Sequence, residues 1–114
     1  LLYEYFARET ERAFACGVSR MWIDPGLGFY YKNLADSAVR VRYQIETFLN
    51  SFRLRTLGWP VCQALPHAFE FFEEEVRSAE SFFGVLALLG KTDLIRTHEV
   101  AKLRGVINAM KIIP

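Results

Sequence analysis

Hydrophobic positions in this chain recur with a helical period in several stretches, and shorter apolar runs stand between them. Leu2, Phe6, Ala13 and Cys16 fall on one helical face, leaving Glu4, Arg8, Glu9, Glu11 and Arg12 for solvent. Gly17 suits the left-handed position that ends such a helix. The turn Gly17-Val18-Ser19 then feeds a predicted strand over Arg20–Ile23. Leu34, Ala38, Val41, Ile45, Phe48 and Phe52 form the clearest amphipathic stripe, with Asn33 as its cap. Arg40, Arg42, Glu46, Arg53 and Arg55 fall on the face turned to water or to loops. Gly58 closes this helix.

Trp59–Leu65 reads as a second strand, with Pro60 at its start, where a missing N–H does least harm. From His67 to Leu89 the period is helical again, through Phe71, Phe72, Val76, Ala79, Phe82, Phe83, Leu86 and Leu89. The tract Phe69–Phe72 is unusually aromatic, and Glu73-Glu74-Glu75 after it reads as surface. A break near Arg77–Ser81 separates a short loop helix from the main one, which Gly90 ends. Lys91-Thr92-Asp93 is a turn into a third strand, Leu94–Thr97. Val100, Leu103, Val106, Ile107 and Met110 stripe the closing helix.

Helices alternating with strands over short connections predict one continuous α/β unit with parallel strands. No internal repeat, low-complexity tract or linker interrupts it. A closed (β/α)₈ barrel usually needs about 200 residues or more, and this chain has 114 with three strand candidates. Such strands cannot close a barrel. The chain also begins Leu1-Leu2, without Met, in what reads as the middle of a helix, so the expectation is a segment of a longer protein.

Composition adds little: 52% hydrophobic, 24% charged, net charge +1. That balance gives no electrostatic case for a nucleic-acid or membrane partner. Apolar runs such as Phe82–Gly90 are far short of a membrane span, and Leu1–Phe6 contains Glu4 and no cleavage-site pattern. Cys16 and Cys62 lack metal-ligand spacing and read as buried free thiols in a reducing cytoplasm.

Candidate chemistry lies where strands end. Met21-Trp22-Ile23-Asp24-Pro25-Gly26-Leu27-Gly28-Phe29 is an apolar run stopped by an acid, a proline and two glycines. Pro25 cannot continue a strand, while Gly26 and Gly28 permit positive φ and close approach. Asp24 is thereby left at the carboxyl end of a strand, where parallel α/β folds bind ligands. The alternative is an acid that only accepts hydrogen bonds from loop N–H groups. Arg96 and His98, two apart on a strand, share a face and suit a phosphate-like anion. Alternatively, Arg96 pairs with a loop acid and His98 is simply hydrogen-bonded.

Taken whole, Asp24-Pro25-Gly26-Leu27-Gly28-Phe29 resembles the DPGxGF signature of dihydropteroate synthase. Leu57-Gly58-Trp59-Pro60-Val61 resembles that family's LGxPV, and Ile95-Arg96-Thr97-His98-Glu99-Val100 its last strand, IRVHDV. The matches span residues 20–113. The resemblance implies the C-terminal three βα units of a TIM barrel, a partial pterin-binding domain over residues 1–114 with strands near 20–24, 60–65 and 94–98. It implies a cytoplasmic transferase of folate biosynthesis that condenses a dihydropterin pyrophosphate with p-aminobenzoate, and a homodimer. Asp24 matches the acid that binds the pterin ring, Arg96 the residue that packs on it, Arg96 with His98 the pyrophosphate site, and Phe29 the p-aminobenzoate channel. Mg²⁺ would be the cofactor, with its ligand outside this segment.

The chain also departs from the pattern. Where the family continues GFGKT, Tyr31 stands at the Lys position and Lys32 follows one residue late. Where it reads PVLVGxSRK, alignment from Pro60 puts Ala64 for the Gly and Pro66, His67 and Ala68 for Ser-Arg-Lys. Loss of a preorganised cationic contact at a charged transition state costs on the order of 10²–10³ in rate. Two functions follow: a synthase in which Lys32 or Lys91 replaces the missing Lys, or a non-catalytic pterin-binding or regulatory homologue without a p-aminobenzoate site. A third, the pterin-binding methyltransferases that work with corrinoid proteins, fits the DPGLGF spelling less well.

Overall fold

The computed structural model describes residues 1–26, 37–66, 69–72 and 77–113. In chain order these form α1 (Leu2–Ala15), α2 (Ser37–Leu49), α3 (Phe52–Arg55), β1 (Cys62–Ala64), α4 (Phe69–Phe72), α5 (Ser78–Leu89), β2 (Leu94–Arg96) and α6 (Val100–Met110). Phe29, Tyr31, Lys32, Asn33, His67, Ala68 and the Glu73-Glu74-Glu75 run lie outside the described residues.

The strands are parallel, with Cys62 opposite Leu94, Gln63 opposite Ile95 and Ala64 opposite Arg96. The predicted first strand is reduced to a single parallel bridge between Ile23 and Val61. It is held by Ile23 N–H to Pro60 C=O at 2.9 Å and Cys62 N–H to Ile23 C=O at 2.8 Å. Pro25 follows at once, so the pairing cannot extend. The result is a mixed helix-and-strand unit around a small parallel sheet, with strand order Ile23, β1, β2.

Helices gather on one face of that sheet. Val41 and Phe48 from α2, Ala79, Phe83 and Ala87 from α5, and Leu103 from α6 close over Leu65. Phe48 and Phe83 are wholly buried, their ring centroids 5.5 Å apart. A second cluster joins Ile23, Leu54 and Val61, with Phe6 and Trp59 against it. Side chains alternate along strands, so Ile23, Val61, Gln63, Leu65 and Ile95 face the helices. Trp22, Asp24, Cys62, Ala64, Leu94 and Arg96 face the other way. No described helix covers that second face, where Trp22 is 54% and Leu94 44% exposed.

Several expectations shift. The α2 stripe breaks at Asn50–Ser51, so Phe52 turns outward while Gln44 and Ser51 are buried. In α5 the buried stripe is Ala79, Glu80, Phe83, Gly84 and Ala87; Phe82 and Leu89 are exposed. That helix is apolar nearly all round, so its sequence sets no phase. Gly90 ends it without positive φ; instead Lys91 takes φ 64°. Gly90 is needed for space, because a Cβ there would overlap the Phe48 carbonyl oxygen. Cys16, expected inside, is exposed, whereas Cys62 is buried. The positive φ of Gly17 and Gly26 is as expected.

Candidate functional site

Ile23 pairs with Val61, so Asp24 stands level with Cys62 at the start of β1, while Arg96, the last residue of β2, stands level with Ala64, two residues further along the strands. Alternation puts them on the same uncovered face, with Cys62 between. The Cys62 thiol registers both. Burial pushes its pKa up, the Asp24 carboxylate pushes it further, and the Arg96 guanidinium pulls it back. An acid and a guanidinium thus flank a nearly buried patch of strand backbone, a geometry that can accept N–H donors on one side and meet an anion or ring face on the other.

Asp24 is shaped locally by its own loop. Its Oδ1 accepts the Gly26 N–H at 2.8 Å, and Gly26 has φ 74°. This turn is the loop role read as the alternative for Asp24, and it leaves Oδ2 outside that bond.

His98 departs from expectation. β2 ends at Arg96, so strand alternation does not carry on to His98. Its imidazole Nδ1 lies 3.4 Å from Glu80 Oε2 on α5, while the ring remains 64% exposed. Arg96 and His98 therefore share the sheet's end but not one strand face. Thr97 between them donates its hydroxyl to Glu80 at 2.6 Å. Sequence reading missed Glu80. The available signal was an acid spaced three, four and seven residues from Phe83, Gly84 and Ala87, the positions that share one helical face.

Of the positions replacing Ser-Arg-Lys, Pro66 is buried beyond β1 and offers neither hydroxyl nor N–H to the crevice. Lys91 sits in the turn that enters β2, at the other end of that strand from Arg96. Among the described residues no three His, Cys, Asp or Glu side chains stand together to hold a metal ion. No described helix is long and apolar enough to cross a membrane. A cleft of about 480 Å³ lined by Val41, Ile45, Phe72 and Phe82 opens between α2 and α5, on the helical side and away from Asp24 and Arg96.

The fold and site define a mixed helix-and-strand unit with an acid and a guanidinium on one face of a small parallel sheet. Comparison with protein-family models, with curated proteins and with solved structures finds no match.

Proposed function

We propose that this chain forms one wall of a pterin and pyrophosphate site in a dihydropteroate synthase-like protein of folate biosynthesis. The observation that carries the reading is that Asp24 and Arg96 flank Cys62 on one face of a parallel sheet. Asp24 accepts two N–H donors of an aminopyrimidine edge, Arg96 lies on the ring, and Arg96 with His98 meets the pyrophosphate that leaves when the new C–N bond forms. In such an enzyme the sheet is part of a (β/α)₈ barrel. Helices outside and an uncovered inner face support that architecture, because parallel sheets are buried on both faces.

Buried Pro66 at the family's Ser position favours a second reading, in which pterin binding persists and condensation with p-aminobenzoate is lost. Calorimetry with a dihydropterin pyrophosphate and with p-aminobenzoate tests both. Binding of both ligands, with formation of dihydropteroate, supports the synthase. Binding of the pterin alone supports the homologue without transferase activity. If neither binds, the pterin site falls.

A further inference from the structure

We propose that Glu80 is a positioning residue for His98, holding the imidazole with Nδ1 turned inward and Nε2 as the atom offered to a pyrophosphate-like anion. This rests on the reading of Arg96 and His98 as an anion site.

Glu80 is completely buried on α5. Oε1 accepts the Thr97 hydroxyl at 2.6 Å and the His98 backbone N–H at 2.8 Å, and Oε2 lies 3.4 Å from His98 Nδ1. The Thr97 hydroxyl oxygen in turn accepts the Glu99 N–H at 2.9 Å, so its proton is committed to Glu80. A buried carboxylate needs such donors to offset lost hydration. The start of α6 adds the positive end of its dipole. The other charged pair nearby, Arg77 with Glu99 at 3.4 Å, is already formed.

A neutral imidazole carries its proton on either ring nitrogen, and a carboxylate beside one of them selects that tautomer. Glu80 therefore keeps the proton on Nδ1. When the ring is protonated, Nε2–H becomes the donor that points away from α5, and Glu80 balances the charge behind it. One buried acid thus fixes the turn after β2 and also the atom with which His98 meets a ligand.

Nitrogen-15 spectra of the histidine rings test this, with His98 assigned by the signal lost in His98→Asn. The neutral wild-type ring should carry its proton on Nδ1. Glu80→Gln, checked for folding by circular dichroism, should lose that preference and bind inorganic pyrophosphate about tenfold more weakly. Thr97→Val removes the hydroxyl that donates to Glu80 and accepts the Glu99 N–H, and should leave the tautomer unchanged. A wild-type ring protonated on Nε2, or a tautomer unmoved by a folded Glu80→Gln, overturns the assignment. If Glu80→Gln does not fold, the wild-type and Thr97→Val tautomers decide it. Wild-type protein that binds no pyrophosphate removes the anion site, and the ring tautomer then decides separately whether Glu80 positions His98.

Discussion

Asp93 fastens the start of β1 to the turn that enters β2: its Oδ2 accepts the Val61 N–H at 2.9 Å while its Oδ1 lies 3.2 Å from Arg55. The two contacts differ in worth. Val61 is wholly buried, so its N–H needs a partner. Arg55 is 48% exposed, and pairs of that kind contribute little. Asp93→Ala should therefore cost about 1–3 kcal/mol, whereas Arg55→Ala should cost less than about 1 kcal/mol. Urea denaturation of the two variants checks the order.

Phe48 and Phe52 belong to one stripe in the sequence and to two environments in the fold. Phe48→Ala should cost about 3–5 kcal/mol, because the ring is wholly buried against Phe83. Phe52 is 45% exposed, and its truncation should cost less than about 1 kcal/mol. Equal losses in thermal unfolding would mean that the helix does not break at Asn50–Ser51.

Gly90 and Lys91 divide between them what one glycine usually does. Gly90→Ala drives a methyl group into the Phe48 carbonyl and should cost at least about 3 kcal/mol. Lys91 holds φ 64°, strained for any residue with a Cβ, so Lys91→Gly should stabilise by up to about 1 kcal/mol. Opposite signs in denaturant midpoints are the expected result.

Gln63 and Ser51 form a polar link inside the core, with the Gln63 amide donating to the Ser51 hydroxyl at 2.5 Å. The Gln63 carbonyl oxygen is buried without a partner among the described residues. Removing Ser51 strands the Gln63 amide, at a cost of about 1–3 kcal/mol, whereas removing Gln63 leaves the Ser51 hydroxyl donating to the Thr47 carbonyl at 2.9 Å; removing both can be nearly neutral. Gln63→Leu with Ser51→Ala should thus be more stable than the sum of the single variants predicts.

Much of this architecture was legible in the chain, for reasons that particular residues make plain. Pro25, Gly58 and Pro60 punctuate short apolar runs, and such punctuation survives any packing, so β1 was found and the first predicted strand kept one bridge, at Ile23. Parallel order followed from helix–strand alternation. What escaped depends on tertiary partners. Glu80 and Gln63 are polar residues on buried faces, and a hydrophobic pattern places such residues outside. The phase of α5 was lost because Ser78–Leu89 has almost no polar face to orient it. His98 was misplaced because only the structure shows that β2 stops at Arg96.

The Cys62 thiol reports on the proposed site directly. Thiol reagents attack the thiolate, and burial together with Asp24 raises the Cys62 pKa, so at neutral pH it should react far more slowly than exposed Cys16. In a Cys16→Ser background, Asp24→Asn removes a charge that raises the pKa and should shift the rate profile to lower pH. Arg96→Gln removes a charge that lowers it and should shift the profile to higher pH. Stability carries the same sign. A thiol whose folded pKa lies above its unfolded value contributes fully below the unfolded pKa, and that contribution fades as pH rises through the folded one. Unfolding at a series of alkaline pH values should therefore show a loss that Cys62→Ser abolishes. Profiles that neither substitution moves would separate Asp24 and Arg96 from Cys62, and the wall assigned to a flat heterocycle would come apart with them.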